Sequence, residues 1–352
     1  MKILLVTHHW YTNSHHSKFS GYQRVAFYLA RNHDVTVLTW GNTEQEYTEE
    51  NFKVKMIVTP DNDRLFQRRI KISKVAAEMA PMFDITHLLY SDCGFHLSAK
   101  YPFIASVHVT PRVSNYKIFK EKVFLFLKAN IIERRVFRNA CKIIAVSNNL
   151  VEDLKRKYPE KSIYIPHGID CEFWKPDPTL DKHKDEYLAG KFKKIVTCIG
   201  YHGVDYQIMR EVIQQLPDVL FILVSLKEDF KYPNVIEKSG ISNEELRIIY
   251  QVADAFYRPV LFATANNAVL EAMAMKKPII TNNIDGISDY LTTDNAFLPN
   301  NNSEHLAAVQ NALEISPEVD KITSNAMLTA NNEFSWTAVA NSLVKIYQTE
   351  IK

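Results

Sequence analysis

The stretch Thr264-Ala-Asn-Asn-Ala-Val-Leu-Glu-Ala-Met-Ala-Met-Lys-Lys-Pro-Ile-Ile-Thr281 passes from polar residues to an apolar helical run and then to a β-branched strand. Asn266 and Asn267 open the run. Ala268, Leu270, Ala272, Met273 and Ala274 suit a tightly packed helix, and Lys276, Lys277 and Pro278 close it before a strand begins at Ile279. A helix that starts this way points unpaired backbone N–H groups at whatever precedes it, so its mouth favours an anion such as the diphosphate of a sugar nucleotide. Glu271, one turn in, is a carboxylate placed to accept hydrogen bonds from a ribose diol. It equally suits the wet edge of an ordinary amphipathic helix.

Outward from this stretch the same alternation recurs. Lys2 to Thr7, Asp34 to Thr39, Lys53 to Val58, Ile85 to Leu89, Phe103 to Val107 and Lys142 to Val146 read as strands. Helical periods fill Tyr22 to Arg31, Leu65 to Met79, Phe119 to Phe137 and Asn149 to Lys157. The pattern pauses at Ile165-Pro166-His167-Gly168-Ile169-Asp170 and a charged stretch through Lys194, which reads as a linker. A second series follows, with strands at Ile195 to Ile199, Leu220 to Val224, Ala255 to Tyr257 and Pro278 to Thr281. Its helices are Tyr206 to Gln215, Asn243 to Val252 and Asn267 to Met275, and helices at Ser303 to Ile315, Glu318 to Asn331 and Thr337 to Glu350 end the chain. Strands alternating with helices imply parallel sheets covered on both faces, so the expected class is α/β with two Rossmann-like domains.

The chain has 352 residues, 46% hydrophobic and 23% charged, the balance of a globular protein with two sizeable cores. No apolar run is long enough to span a bilayer, and the apolar start gives way too early to His8, His9 and Trp10 for a secretory signal, so a cytoplasmic location is expected. Cys93, Cys141, Cys171 and Cys198 have no C-x-x-C spacing and read as reduced thiols. Up to Lys175 there are 26 Lys and Arg against 17 Asp and Glu, +9, and the remainder has 16 against 23, −7. The basic half fits either a solvated face or contact with an anionic membrane or acceptor. Within it, Arg64 to Lys74 and Lys117 to Arg138 mix Phe, Leu and Ile with Lys and Arg, a pattern shared by core-facing and interfacial helices. Neither nucleic-acid binding nor a dinucleotide fingerprint is indicated.

Asn266-Asn-Ala-Val-Leu-Glu-Ala-Met-Ala-x-x-x-Pro-Ile-Ile280 resembles the donor-site motif of the retaining GT-B glycosyltransferases of family 4, in which seven residues separate two glutamates. Glu271 matches the second; the first falls on Ala263. The resemblance implies two Rossmann-like domains facing across a cleft. Their extents would be residues 1–170 with about 339–352, because Ser335-Trp336 resembles the start of the family's crossing terminal helix, and residues 171–338. It implies a retaining, metal-independent transfer of a sugar from a nucleotide diphosphate sugar to a hydroxyl of a glycan or lipid-linked acceptor, as in cell-surface glycan or glycolipid synthesis. Asn266, Asn267, Ala268, Val269 and Glu271 would hold the donor.

Further assignments follow from the resemblance. Where relatives carry a glycine pair near the donor phosphates, this chain keeps Gly21, which also fits a plain helix-starting turn. His108, at the end of a predicted strand, matches the family's histidine beside the transferred sugar; alone it would fit a satisfied interior residue. The Arg and Lys that relatives present to the diphosphate are absent from Gly200 to Tyr206. Arg258 and His202 would then supply the positive charge and stabilise the leaving group, unless Arg258 pairs with a local carboxylate. Gly240 and Ile241 fall where relatives bind the nucleobase. No cofactor is expected, and no metal: His8, His9, His15 and His16 are loop neighbours without fixed geometry, and Asp61-Asn62-Asp63 fits a turn. The losses at position 263 and of the cation pair leave a catalytically weak partner subunit as one alternative, and a sugar-nucleotide 2-epimerase as another.

Overall fold

The computed structural model describes residues 1–8, 10, 21–58, 65–108, 128–263 and 266–351. The chain forms two compact units: of the described residues, one takes those up to Trp10, Tyr22–His167 and Val339 onward, the other Gly168–Ala338 with Gly21.

The first domain contains β1 (Lys2–Val6), α1 (Val25–Ala30), β2 (Asp34–Gly41), β3 (Gln45–Glu49), β4 (Phe52–Val58), α2 (Leu65–Met79), β5 (Ile85–Leu88) and β6 (Phe103–Val107). It continues with α3 (Arg134–Asn139), β7 (Lys142–Ala145), α4 (Asn148–Lys155) and β8 (Ser162–Tyr164). Its sheet runs β3-β4-β2-β1-β5-β6-β7-β8 and is parallel except for β3. At the centre, Ile3, Leu4, Leu5 and Val6 of β1 are all fully buried, which is why this strand is apolar from Ile3 onward and shows no alternation. β3 departs from the parallel expectation. Gln45-Glu-Tyr-Thr-Glu49 has no apolar run and is held at the edge by its antiparallel ladder on β4 and the 2.7 Å Lys55–Glu46 ion pair. On α2, Ile72 and Ala76 are buried while Lys71 and Lys74 are exposed, so the apolar face of this basic helix is core-facing. The first residues of the Arg64–Lys74 stretch, and Lys117 to Leu127 of the other, lie outside the described residues.

The second domain contains α5 (Lys184–Leu188), β9 (Lys194–Ile199), α6 (Tyr206–Gln215), β10 (Val219–Val224), β11 (Val235–Lys238), α7 (Asn243–Val252), β12 (Ala255–Arg258) and α8 (Asn267–Ala274). β13 (Ile279–Thr281), α9 (His305–Ala312) and α10 (Pro317–Thr329) complete it, and α11 (Trp336–Glu350) begins in it. Its sheet, β11-β10-β9-β12-β13, is parallel throughout. The chain builds outward from β9 to β11, then returns to add β12 on the other side of β9. The carboxyl ends of β9 and β12 therefore form the topological switch point, where open α/β sheets gather ligands. β1 and β5 hold the same place in the first sheet.

The expected linker is narrower than its composition implies. Trp174 is fully buried and packs edge-on against Tyr250, ring centroids 5.6 Å apart, so the segment after Asp170 belongs to the second core. The chain changes domain at His167–Gly168. A Cβ on Gly168 would collide with the Trp336 ring, and Ile169 pairs alongside Ser335, donating to Phe334 O at 2.8 Å and accepting from Trp336 N at 3.0 Å. The small side chains of α8 let it lie inside the domain, with every residue from Ala268 to Ala274 buried. Lys277, which follows α8, donates to Gln251 O at 2.7 Å and Ala253 O at 3.0 Å, satisfying the end of α7; burial pushes its ammonium pKa down to about 8.

Candidate functional site

At the switch point of the second domain, Arg258 ends β12 with 4% of its surface exposed. Its guanidinium donates to the carbonyls of Ile199 and Gly200, at the end of β9, and to His202 O at 2.7 Å. A buried cation compensated by three carbonyl dipoles acts as a brace that fixes the loop leaving β9. That loop is tied a second time to the segment after β12. Asp205 N donates to Pro259 O at 2.9 Å, Leu261 N donates to Gly203 O at 2.7 Å, and Val204 bridges Val260. Gly203 sits at φ +71° with its α-carbon against Phe262 O, a position closed to any side chain.

α8 starts eight residues beyond Pro259, and its mouth differs from those of its longer neighbours. Asp205 accepts from Gln207 N and Ile208 N at the start of α6, Ser242 from Glu245 N in α7, and Ser316 from Val319 N in α10. Asn266, the N-cap of α8, is extended at φ −126° and makes no side-chain capping bond. One turn in, Glu271 is 3% exposed, and its Oε2 accepts from the Tyr250 hydroxyl at 2.9 Å. The same hydroxyl lies 2.9 Å from Ala268 O, so Tyr250 ties the first turn of α8 to the carboxylate. Burial, then the Glu271 charge, raises the Tyr250 pKa well above normal, while Arg258 opposes the shift. Glu271, Tyr250 and Arg258 thus share one electrostatic neighbourhood beneath the switch point.

His202 is exposed and stacks on Tyr201 with ring centroids 4.2 Å apart; partial burial, then the charges of Lys227 and Arg258, lower its pKa and favour the neutral ring. Lys227, exposed on the loop after β10, places its ammonium 4.1 Å from the Tyr201 ring centroid. Gly240, at φ +67°, and the partly buried Ile241 lie between β11 and α7.

In the first domain, His108 follows β6 and its Nε2 donates to Leu89 O at 2.8 Å, which makes Nδ1 the acceptor nitrogen of the neutral ring. Tyr22 meets the ring edge-on at 4.6 Å, with Tyr90 at 4.8 Å and His167 at 6.2 Å. Behind it runs a buried polar chain. Tyr22 Oη is 3.1 Å from Ser106 Oγ, which is 2.8 Å from His87 Nε2, and His87 Nδ1 is 2.6 Å from Tyr347 Oη on α11. Burial, then the His108 charge, pushes the His87 pKa down to about 3, and burial pushes Tyr22 up to about 12. Gly21 is half-buried immediately before the turn that leads into α1.

Known proteins match this arrangement in sequence and in fold. The model of Glycosyltransferase Family 4 matches residues 22–173, and that of Glycosyl transferases group 1 matches residues 203–314. The chain belongs to the family 4, GT-B glycosyltransferases. Among its relatives, the MMP α-(1→4)-mannosyltransferase of Mycolicibacterium hassiacum is 22% identical over 233 residues, 62% of this chain and 57% of that protein. The α-galactosylglucosyldiacylglycerol synthase of Streptococcus pneumoniae is 27% identical over 254 residues, 63% of this chain and 66% of that protein. The chain therefore spans less than two thirds of the length of either. The crystal structure of Anabaena HepE in complex with UDP and glucose superposes with a TM-score of 0.72, covering 99% of this chain and 100% of that one at 15% identity, a likeness of fold.

Of the residues read from the sequence, the fold gathers Arg258, His202 and Glu271 around one switch point, with Asn266, Asn267, Ala268 and Val269 at the mouth of α8. His108 stands at a strand end of the first sheet, and Gly21 precedes the turn that leads into α1. His9, His15, His16 and Asp61 to Asp63 lie outside the described residues. Three contributors went unread: Tyr250, the partner of Glu271; Lys227; and the pair Asp92 and Cys93, which meets His8 after β5. For Lys227, Asp92 and Cys93 the signal was position just beyond the carboxyl end of a strand; Tyr250, on a different helix from Glu271, left none. Among the described residues no helix is long and apolar enough to cross a membrane.

Proposed function

We propose that this glycosyltransferase moves a sugar from a nucleoside diphosphate sugar to a hydroxyl of a glycan or lipid-linked acceptor, with retention of configuration and with no metal ion at the diphosphate. The observation that carries this reading is the mouth of α8. It is the helix start at the switch point, and it lacks the side-chain cap that closes α6, α7 and α10. Backbone amides aimed at one place suit a diphosphate, and they would stabilise the charge that grows on the leaving oxygens as the glycosidic bond breaks. Glu271, held by Tyr250, accepts from the ribose diol. Gly21 adjoins the phosphates, backbone groups at Gly240 and Ile241 receive the nucleobase, and His108 hydrogen-bonds a sugar hydroxyl.

Positive charge at the phosphates comes from Lys227, the neutral His202 ring assists through a hydrogen bond, and Arg258 acts through the carbonyls it braces. Retention follows a same-face route in which the leaving phosphate takes the acceptor proton and no residue forms a covalent adduct. A lipid-linked acceptor and glycolipid synthesis fit the glycosylated diacylglycerol in the name of the pneumococcal relative and the basic balance of the first half. The same balance fits peripheral contact with an anionic membrane. The commitment of Arg258 to backbone, with alanine at 263, favours a catalytically weak partner subunit as the second reading.

Incubation with a panel of nucleotide sugars, with and without added Mg2+ or Mn2+, tests the proposal. Release of free nucleotide at a rate indifferent to these ions is the expected result. An isomeric sugar nucleotide points instead to an epimerase, and binding without turnover to the partner subunit.

A further inference from the structure

Beyond the donor site, a second group of reactive side chains fills the switch point of the first sheet. His8 lies just beyond β1, and Asp92 and Cys93 lie in the single turn Ser91–Cys93 that follows β5. His8 Nδ1 is 3.4 Å from Asp92 Oδ1, Cys93 Sγ is 3.5 Å from His8 Nδ1, and the same sulfur is 3.8 Å from Asp92 Oδ1. All three side chains are buried, at 8%, 3% and 0% exposure.

We propose that His8, Asp92 and Cys93 form a zinc site in the first domain. A tetrahedral zinc ion with bonds of about 2.0 Å to nitrogen and oxygen and about 2.3 Å to sulfur separates its ligand atoms by roughly 3.3–3.6 Å. The three donors already stand close to that spacing. Imidazole, carboxylate and thiol together select zinc over magnesium or calcium, which take oxygen ligands. The surroundings fix the donors as a metal site requires. Arg69 Nε lies 2.9 Å from Asp92 Oδ2, leaving Oδ1 turned to the other two, and the rings of Tyr90 and Trp40 pack on His8 at 4.3 and 5.7 Å. Zinc binding displaces the Cys93 thiol proton, which leaves to solvent. The two anionic ligands offset the ion, and the charge that remains on the cluster is that of Arg69. The fourth position takes water or a further ligand. The histidine loop offered no metal geometry by itself because the completing ligands arrive from more than eighty residues away. The site uses no residue of the α8 mouth, and its readout is independent of sugar transfer.

The test is a Co2+ titration of the full-length, tag-free protein after chelator treatment and dialysis. One equivalent of Co2+ is expected to give a thiolate-to-cobalt charge-transfer band with tetrahedral d–d bands, bleached by one equivalent of Zn2+ and indifferent to Mg2+. Zn2+ should also raise the melting temperature of the wild type. Cys93→Ser should lose the charge-transfer band, and Asp92→Asn should weaken binding at least about tenfold, in line with the sensitivity of metal sites to their supporting groups. His8→Ala, at the outer edge of the trio, is the second variant should Cys93→Ser fail to fold, and should weaken Co2+ by the same order. No charge-transfer band in the wild type, or the same band in Cys93→Ser or unaltered affinity in His8→Ala, overturns the proposal.

Discussion

The two sheets reverse direction at corresponding places and fill the reversal with opposite chemistry. In the second domain the gap between β9 and β12 holds a guanidinium donating to carbonyls, beside a helix mouth left uncapped. In the first domain the gap between β1 and β5 holds imidazole, carboxylate and thiol, and on β5 itself lies His87, a histidine kept neutral by burial. One reversal offers donors, the other acceptors and ligands. A parallel sheet only determines where side chains can gather; which ligand they suit is decided by the few residues at the strand ends.

The comparison breaks most visibly at Arg258. Removing the guanidinium in Arg258→Met orphans three carbonyls at the ends of β9 and its loop. Hydrogen bonds from a charged donor contribute about 1.5–3 kcal/mol each, so a loss of roughly 4 kcal/mol in unfolding free energy is expected, together with loss of nucleotide binding. Urea denaturation measures the first and calorimetric titration with UDP the second. If Arg258→Met keeps its stability and loses only affinity, then Arg258 is a direct phosphate ligand and not a brace.

In the first domain the corresponding experiment uses pH. His87 titrates near pH 3 in the folded protein and near 6.5 when unfolded, so the unfolded state binds more protons between these values. The stability contributed by the neutral ring is complete above about pH 6.5 and lost as pH falls towards 3. At about 1.4 kcal/mol per unit, that loss is on the order of a few kcal/mol. His87→Gln, which keeps polar atoms between Tyr347 and Ser106, should flatten this limb of the stability profile. An acid profile parallel to that of the wild type would show that other groups control it.

Asn266→Asp sharpens the donor side. A carboxylate at the N-cap satisfies the amides of α8, worth about 0.5–2 kcal/mol to a helix, and repels an incoming anion. Stability should hold or rise while affinity for UDP falls about tenfold or more, an opposite pairing of effects that a merely damaging substitution does not produce. Unchanged UDP affinity would remove the α8 mouth from the proposed function.

How far the sequence carried this picture depended on whether a feature was local. Ile3 to Val6 and Leu220 to Val224 are apolar at every position because both faces are covered, so their strands could be read directly. β3 could not, since Gln45-Glu-Tyr-Thr-Glu49 owes its form to the neighbouring strand. Trp174 sat in what read as a charged linker, and only the packing on Tyr250 shows that it belongs to the core. Asn266 and Glu271 were legible from one helix turn, whereas Tyr250 as the partner of Glu271 required knowing which faces of α7 and α8 meet. Arg258 was noticed for its charge, but the direction of its side chain, inward onto Gly200, has no sequence trace. His8 and Asp92 are coupled only through the adjacency of β1 and β5.

The smallest effect separates the two candidate sources of charge at the donor site. Arg258 is buried and spends its guanidinium on carbonyls, whereas Lys227 is exposed and held by little more than the Tyr201 ring. An exposed ammonium near a diphosphate contributes weakly and is screened by salt, so Lys227→Ala should lower UDP affinity about threefold at low ionic strength, under 1 kcal/mol, and less at high salt. Stability should not change, because the side chain is solvated. Replacing Lys227 with Glu doubles the change in charge and should roughly double the effect in free energy. If both variants bind UDP as the wild type does at every salt concentration, Lys227 does not face the phosphates. The helix mouth must then hold the diphosphate through its amides with His202 alone beside it.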